Sequence, residues 1–410
     1  MHKIPHLFIF VFIFLVGCQS VVFANDSASD KLDKLIDQTI KTSLSSLAKS
    51  VEEVKNYSLY PNYGTKDFKW QLQTSQDWTC GFYPGNLWYA YELSKDAKFK
   101  VWAEKWTAGI EKEKFNNKTH DLGFRFVCSF GNGLRLAPAD TITRRYKELL
   151  LTAAATTDNR FSPLIGQYPS DWDTQDKKDE FPNSIPTIVD VMMNLELLLW
   201  ASENGGDPKI KERCITHANT SFRDFVRTDG GTYHVVRYDN KTGKVVDKGQ
   251  LQGNVDSSTW SRGQAWMVYG YTVMYRFTKD PIYLKNAMSL ADYFIAHLPA
   301  DKVANWDFQS KLDHRDASAS AIVCSALFEM QKHIKSEKKR QHYLSEAKAI
   351  LTSLCRPPYF TEGKGTNCLL YHSTQYFHKT QNTDVPSSFA DYYFMEALLR
   401  YKNMNLSKSL

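Results

Sequence analysis

The sequence predicts an all-α fold, a six-hairpin (α/α)6 barrel with a small β-hairpin in one loop, and three observations carry that expectation. Helical signals recur in one format: a helix apolar nearly all round, a short polar turn, then a helix with one charged face. A helix hydrophobic on every side is buried, whereas a striped one lies at the surface. Five such pairs, with an opening helix over 31–55 and a closing helix over 389–404, make twelve helices that alternate buried and exposed. Long polar loops carrying Trp, Asp, His and Gln interrupt the connections, which favours a closed ring with a site at one end over a linear helical solenoid.

The first pair runs over 85–93 and 99–110 about the turn Lys95-Asp96. A less regular second uses 128–136 and 141–156 about Pro138-Ala139-Asp140. The third, 190–201 and 209–226, turns at Gly205-Gly206-Asp207-Pro208; the fourth, 264–277 and 283–298, at Lys279-Asp280-Pro281. The fifth, 317–334 and 340–355, turns at Lys335-Ser336-Glu337. Asp before Pro suits these turns, because Asp caps the next helix and Pro loses no internal hydrogen bond at the first position. Residues 230–238 and 243–246 alone break the pattern and alternate like a β-hairpin. Residues 31–405 thus read as a single barrel domain.

The chain begins differently. Residues 1–17 hold one lysine and an apolar run from Leu7 to Leu15, too short to span a bilayer and of the kind found in signal peptides. Leu15-Val16-Gly17-Cys18 resembles the bacterial lipobox, which implies lipid attachment at Cys18, a tether over 18–30, and a membrane-anchored protein of the periplasm or cell surface. Cleavage after Val22-Phe23-Ala24 is the alternative.

Of the 410 residues, 14% are aromatic, which fits either a large core or a cleft whose rings stack on sugar faces. The net charge of +6 is spread along the chain without a block of Lys and Arg, which argues against nucleic acid as a partner. The cysteines after Cys18 show no metal-ligand spacing, so no metal site is expected. Their pairing stays open, because an exported chain can form disulfides while apolar helices commonly bury free thiols.

Two carboxylates stand out. Asp121 follows His120 just before an apolar helix, and Asp190 lies inside the apolar run 186–195. Asp is a poor helix former and costly to bury without partners. One reading makes Asp121 a helix cap and Asp190 the partner of a buried donor such as Arg. The other makes Asp190 a proton donor whose apolar setting keeps its proton available near neutral pH. In Trp260-Ser261-Arg262-Gly263-Gln264-Ala265-Trp266, Arg262 and Trp266 are four apart and share a helix face. Together they offer a planar donor fork and a stacking surface suited to a sugar carboxylate, or else a cation–π pair that stabilises the helix end.

The stretches 77–85, 120–124, 190–195 and 261–266, continued by 316–321 and 390–393, resemble in order the unsaturated glucuronyl hydrolases of glycoside hydrolase family 88. The resemblance covers nearly everything after the opening helix. It implies a six-hairpin helical barrel, a catalytic pair at Asp121 and Asp190, and substrate-binding walls at Trp78, His120, His234, Gln250, Gln252, Arg262 and Trp266. No metal or organic cofactor is implied. Where the family often carries His beside the glutamine matched by Gln252, this chain has Leu251, so linkage and sulfation preference are less tightly implied than the reaction. That reaction removes a terminal 4,5-unsaturated glucuronate from glycosaminoglycan or ulvan oligosaccharides left by a polysaccharide lyase. Asp190 would protonate C4, water would add at C5, and Asp121 would hold ring hydroxyls. Two rival readings are a sister family acting on unsaturated rhamnogalacturonan and a non-catalytic sugar-binding lipoprotein.

Overall fold

Asp96 and Asp280 each stand one residue before a helix and accept the backbone N–H two residues on, from Lys98 at 3.1 Å and Ile282 at 3.0 Å. Helices therefore start where the capping residues place them. The computed structural model describes residues 28–136, 141–170, 180–363, 367–377 and 382–406. The signal segment 1–17, Cys18, most of the tether 18–30 and the turn at Pro138-Ala139-Asp140 lie outside the described residues.

Helix α1 (Ala28–Val54) leads into a hairpin of β1 (Tyr60–Gly64) and β2 (Trp70–Gln73). Then come α2 (Phe82–Ser94), α3 (Ala97–Ala108), α4 (Leu122–Phe126), α5 (Asn132–Leu136) and α6 (Thr141–Asp158). Strand β3 (Ser184–Ile188) precedes α7 (Val191–Glu203) and α8 (Lys209–Phe225), and β4 (Val235–Asp239) and β5 (Val245–Gly249) follow. The chain closes with α9 (Ser261–Thr278), α10 (Pro281–Ala296), α11 (Ala317–Met330), α12 (Glu337–Leu354) and α13 (Ser388–Leu406).

The inner ring is α2, the α4–α5 pair, α7, α9, α11 and α13. Helix α13 packs on both α11 and α2, so the ring closes. That contact excludes the linear solenoid, whose ends would not meet. The α7 segment shows why inner helices are inner: Leu195, Leu197, Leu198 and Leu199 are all fully buried, which a helix with a wet face does not permit. The outer α8 instead buries only one stripe, including Ile210, Cys214, His217 and Ala218.

Three expectations need correction. The hairpin after α8 is a three-stranded antiparallel sheet, because β3 pairs with β4 from Ser184 opposite Asp239 to Ile188 opposite Val235. Its apolar residues run on into those of α7, so no break in the pattern separates strand from helix. The β1–β2 hairpin was also not expected; Pro61 and Gly64 interrupt its alternation. The second inner helix is not continuous α-helix, since α4 joins α5 through a π-helical turn, Val127–Gly131. Cys80, Cys128, Cys214, Cys324, Cys355 and Cys368, whose pairing the sequence left open, are all buried thiols that form no disulfide among the described residues. No described helix is long and apolar enough to cross a membrane.

Asp391, in the first turn of α13, is 1% exposed and accepts the backbone N–H groups of Leu369 (3.1 Å) and Leu370 (2.9 Å). It thereby pins the loop that returns from the outer wall to the barrel mouth. Burial pushes its carboxyl up to about 7, against the two N–H bonds that favour the anion. The native state therefore binds this proton more tightly than the unfolded chain. The associated stability is present below the ordinary carboxylate value of about 4 and is lost as pH rises through about 7. We expect Asp391→Asn to melt at a higher temperature relative to wild type at pH 8 than at pH 5. Parallel pH profiles for the two proteins would remove Asp391 as the cause.

Candidate active site

The N-terminal ends of the inner helices converge on one barrel mouth, and the loops that precede them carry the candidate side chains. Asp121 and Asp190 stand immediately before α4 and α7, and neither uses its side chain to cap its helix. The expectation that Asp190 lies within a helix is thus corrected to the residue before one, where β3 hands over to α7. Both carboxylates are left to face a shared pocket of about 70 Å3 lined by Tyr63, Trp78, His120, Phe124, Gln252 and Arg262 among others. A larger, more open chamber of about 930 Å3 shares Tyr63, Trp78, His120, Asp121 and Gln375 with it.

The spacing of the two carboxylates is fixed by a close helix approach. A methyl group on Gly123 would lie 2.5 Å from the Asn194 Cα, so only glycine lets α4 sit this close to α7. Asn194 Oδ1 then accepts the Phe124 backbone N–H at 3.2 Å. Each carboxylate also faces a buried imidazole: His120 Nε2 lies 3.5 Å from Asp121 Oδ1, and His234 Nε2 lies 3.4 Å from Asp190 Oδ2. The backbone N–H of Gln252 donates to His234 Nδ1 at 3.2 Å, which assigns the ring proton to Nε2 and turns it toward Asp190. Asp190 lines the pocket with its side chain 15% exposed, while its Oδ2 is turned inward against His234.

Arg262 is 2% exposed and heavily bonded. Its Nη1 contacts Asp316 Oδ2 and donates to the Thr374 carbonyl at 2.7 Å; its Nη2 donates to Gln252 Oε1 at 2.9 Å and to the Gln375 carbonyl at 3.2 Å. The guanidinium stacks on Trp260 (4.5 Å to the ring centroid) and Phe389 (5.3 Å), not on Trp266. Burial raises the Asp316 carboxyl, and Arg262 pulls it back down.

Three expected walls lie elsewhere, the first being His234, buried behind Asp190. Trp266 is fully buried one layer down, edge-on to Phe124 (5.2 Å) and Tyr393 (5.5 Å), because a residue one helical turn into α9 points at the barrel core. Gln250 holds its loop instead, donating to the carbonyls of Thr232 (2.9 Å) and Ser258 (2.8 Å). Trp78 does line the pocket, propped against Phe124 (5.4 Å) and Phe389 (5.2 Å). The sequence reading missed Tyr63, whose ring lines the pocket from β1; an isolated Tyr in Tyr60–Gly64 carries no pattern that would have marked it.

No family model matches the chain. It is 36% identical over 407 residues to an unsaturated glucuronyl hydrolase of Formosa agariphila, covering 96% of this chain and 99% of that protein. An unsaturated glucuronyl hydrolase of Bacillus sp. (strain GL1) is 33% identical, covering 83% of this chain and 90% of its own. Among solved structures, an unsaturated glucuronyl hydrolase specific for heparin superposes with a TM-score of 0.84 at 34% identity, covering 91% of this chain and 98% of that one.

Because Arg262 and Asp316 neutralise each other in the core, removing one partner strands the other. Asp316→Ala should cost about 3–5 kcal/mol of folding stability in urea denaturation, the usual penalty for an uncompensated buried charge. A loss below about 1 kcal/mol would mean that solvent reaches the pair, at odds with its burial. The closed ring of hairpins, the paired carboxylates at its mouth and the identity to known members over nearly the whole length place the chain in the unsaturated glucuronyl hydrolase family.

Proposed function

We propose that Asp121 and Asp190 carry the reaction of this glycosidase, the removal of a terminal 4,5-unsaturated glucuronic acid by hydration of its C4–C5 double bond. The observation that supports the assignment is the Asp190 carboxylate, 15% exposed at the pocket wall and backed at Oδ2 by the buried His234 Nε2 at 3.4 Å. The unsaturated ring is a vinyl ether. Protonation at C4 by Asp190 moves the double-bond electrons and leaves an oxocarbenium-like cation at C5. Water, deprotonated by the same carboxylate, adds at C5 to give a hemiketal, which opens and releases the rest of the saccharide. No bond at the anomeric carbon is displaced directly, in contrast to ordinary glycoside hydrolysis. Asp121, held by its backbone N–H to Thr119 Oγ1 at 3.1 Å, faces the ring hydroxyls and the developing positive charge.

The larger chamber receives the remainder of the oligosaccharide. Relatives point to glycosaminoglycan fragments: a variant of the Streptococcus agalactiae enzyme, 27% identical with a TM-score of 0.75, is complexed with dGlcA-GalNAc6S. A polysaccharide lyase must act first, since only elimination creates the double bond. Lipid attachment at Cys18 would hold the enzyme at a membrane in the periplasm or on the cell surface, close to that lyase; the sequence Leu15-Val16-Gly17-Cys18 supports this part.

The test follows the ultraviolet absorbance of the conjugated double bond on lyase-generated disaccharides and their saturated counterparts. Wild type should bleach the unsaturated sugars alone. Asp190→Asn should retain the fold and lose at least about 100-fold in kcat, the usual contribution of a general acid. Cleavage of saturated substrates at a similar rate would replace hydration with direct glycoside displacement.

A further inference from the structure

The turns within the hairpins lie at the end of the barrel away from the cleft, because the inner helices share one direction and start at the cleft mouth. Lys95 and Lys279 follow α2 and α9 there, and Lys209 opens α8. Lys335 precedes α12, whose first turn carries Lys338 and Lys339. All six lysines are exposed, and none forms an ion pair among the described residues. The acids of the same turns are already engaged. Asp96 pairs with Lys98 at 2.9 Å, Glu203 with Lys211 at 3.1 Å and Glu337 with Arg340 at 2.6 Å, while Asp207 and Asp280 cap helices. Turns distant in sequence are neighbours in space: Lys211 Nζ donates to the Phe277 carbonyl at 3.1 Å, and the Tyr275 and His333 rings lie 5.0 Å apart. The fold thus gathers onto one face lysines that the sequence disperses.

The N-terminal segment joins the barrel at that same end. Helix α13 runs from the cleft mouth to the far one, and its last turns meet the start of α1. The Tyr401 hydroxyl donates to Asp33 at 2.8 Å and Lys402 Nζ to Asp37 at 2.6 Å. Lys348 of α12 lies 6.0 Å from the Tyr401 ring centroid, so the helix that follows Lys335 passes beside the same turn of α13. Cys18 stands ten residues before Ala28, a reach of at most about 36 Å.

We infer that the barrel end opposite the cleft is a docking face for a bilayer that contains anionic phospholipid. The choice of partner rests on the lipid attachment at Cys18 proposed above, since a lipid there tethers the molecule by the end that carries the lysines. Each lysine held against an anionic surface strengthens binding by about fivefold. The attraction fades within a Debye length of about 8 Å, so basic residues elsewhere on the barrel add little. Across the length of α13, the docked enzyme keeps its cleft about 28 Å clear of the bilayer. The cleft then opens away from a surface that would repel an anionic saccharide.

The experiment uses the processed chain, residue 18 onward, with Cys18→Ser to exclude the lipid, and vesicles of phosphatidylcholine with or without phosphatidylglycerol. Its result speaks to the face itself, and the mass of the protein extracted from membranes reports separately on the lipid. Binding at physiological salt should require phosphatidylglycerol. Lys279→Gln, Lys335→Gln, Lys338→Gln and Lys339→Gln together should weaken it at least about tenfold. The same charge removed from the β-hairpins at the cleft end, by Lys66→Gln, Lys69→Gln, Lys241→Gln and Lys244→Gln, should change it by less than about twofold. The first variant should melt at the starting temperature, because its lysines have no ion pair to lose. Equal binding to the two kinds of vesicle, equal weakening by the two variants, a lower melting temperature, or no binding by the starting protein would overturn the inference.

Discussion

The guanidinium of Arg262, at the start of α9, reaches Asp316 before α11, the carbonyls of Thr374 and Gln375 ahead of α13, and Gln252 in the loop after β5. Four segments distant in sequence are thereby held at one mouth of the barrel. A cation in the first turn of a helix opposes the helix dipole, and a buried one also pays for lost hydration. Asp316 answers both, because it sits where the positive end of α11 favours an anion and it accepts from Ser318 N–H at 3.1 Å. The pair adds little net stability over a well-packed apolar substitute. Its consequence is geometric: the loops that carry Gln252 and Gln375 have a single place to go.

From that fixed mouth the rest of the site follows. Gln252 is oriented by Arg262 on one side, while its backbone N–H orients His234 on the other. His234 in turn faces Asp190 at 3.4 Å. A chain of contacts thus runs from a core ion pair to the proposed acid, and each link assigns a proton or a lone pair to one direction. Asp121 is located by the contact of Gly123 with Asn194, which brings α4 against the helix that Asp190 precedes. The two carboxylates are therefore tied to each other through α7.

The hairpins and their closure were legible in the sequence because burial leaves a composition that one residue cannot disguise: α7 is apolar on every side and α8 is not. Strand β3 was hidden for the same reason, since its apolar residues continue without a break into a buried helix. Asp121 and Asp190 were visible as charges in apolar company. The partner of Arg262 was not. Spacing of four offered Trp266, but the stacking ring is Trp260 and the counter-ion lies 54 residues away, at Asp316. Local periodicity says which residues share a helix face, and only the tertiary fold says what that face meets. Tyr63 had no local signal at all.

The two mouths of the barrel treat their charges differently. At the far mouth, near the C-terminal ends of the inner helices, Arg276 pairs with Glu329 through Nε at 2.5 Å and with Glu196. Arg400 pairs there with Glu329 and Glu396 at 3.0 Å each. Burial raises the Glu329 carboxyl, yet these arginines hold it at about 2, so the charges answer one another and ask nothing of a ligand. A cavity of about 560 Å3 lies beside them, and its size alone does not make it a site. At the cleft mouth, Asp121 and Asp190 each face a buried imidazole instead, His120 at 3.5 Å and His234 at 3.4 Å. The large cavity at the far mouth thus has its charges matched within the protein, whereas Asp121 and Asp190 face the pocket at which the proposed chemistry takes place.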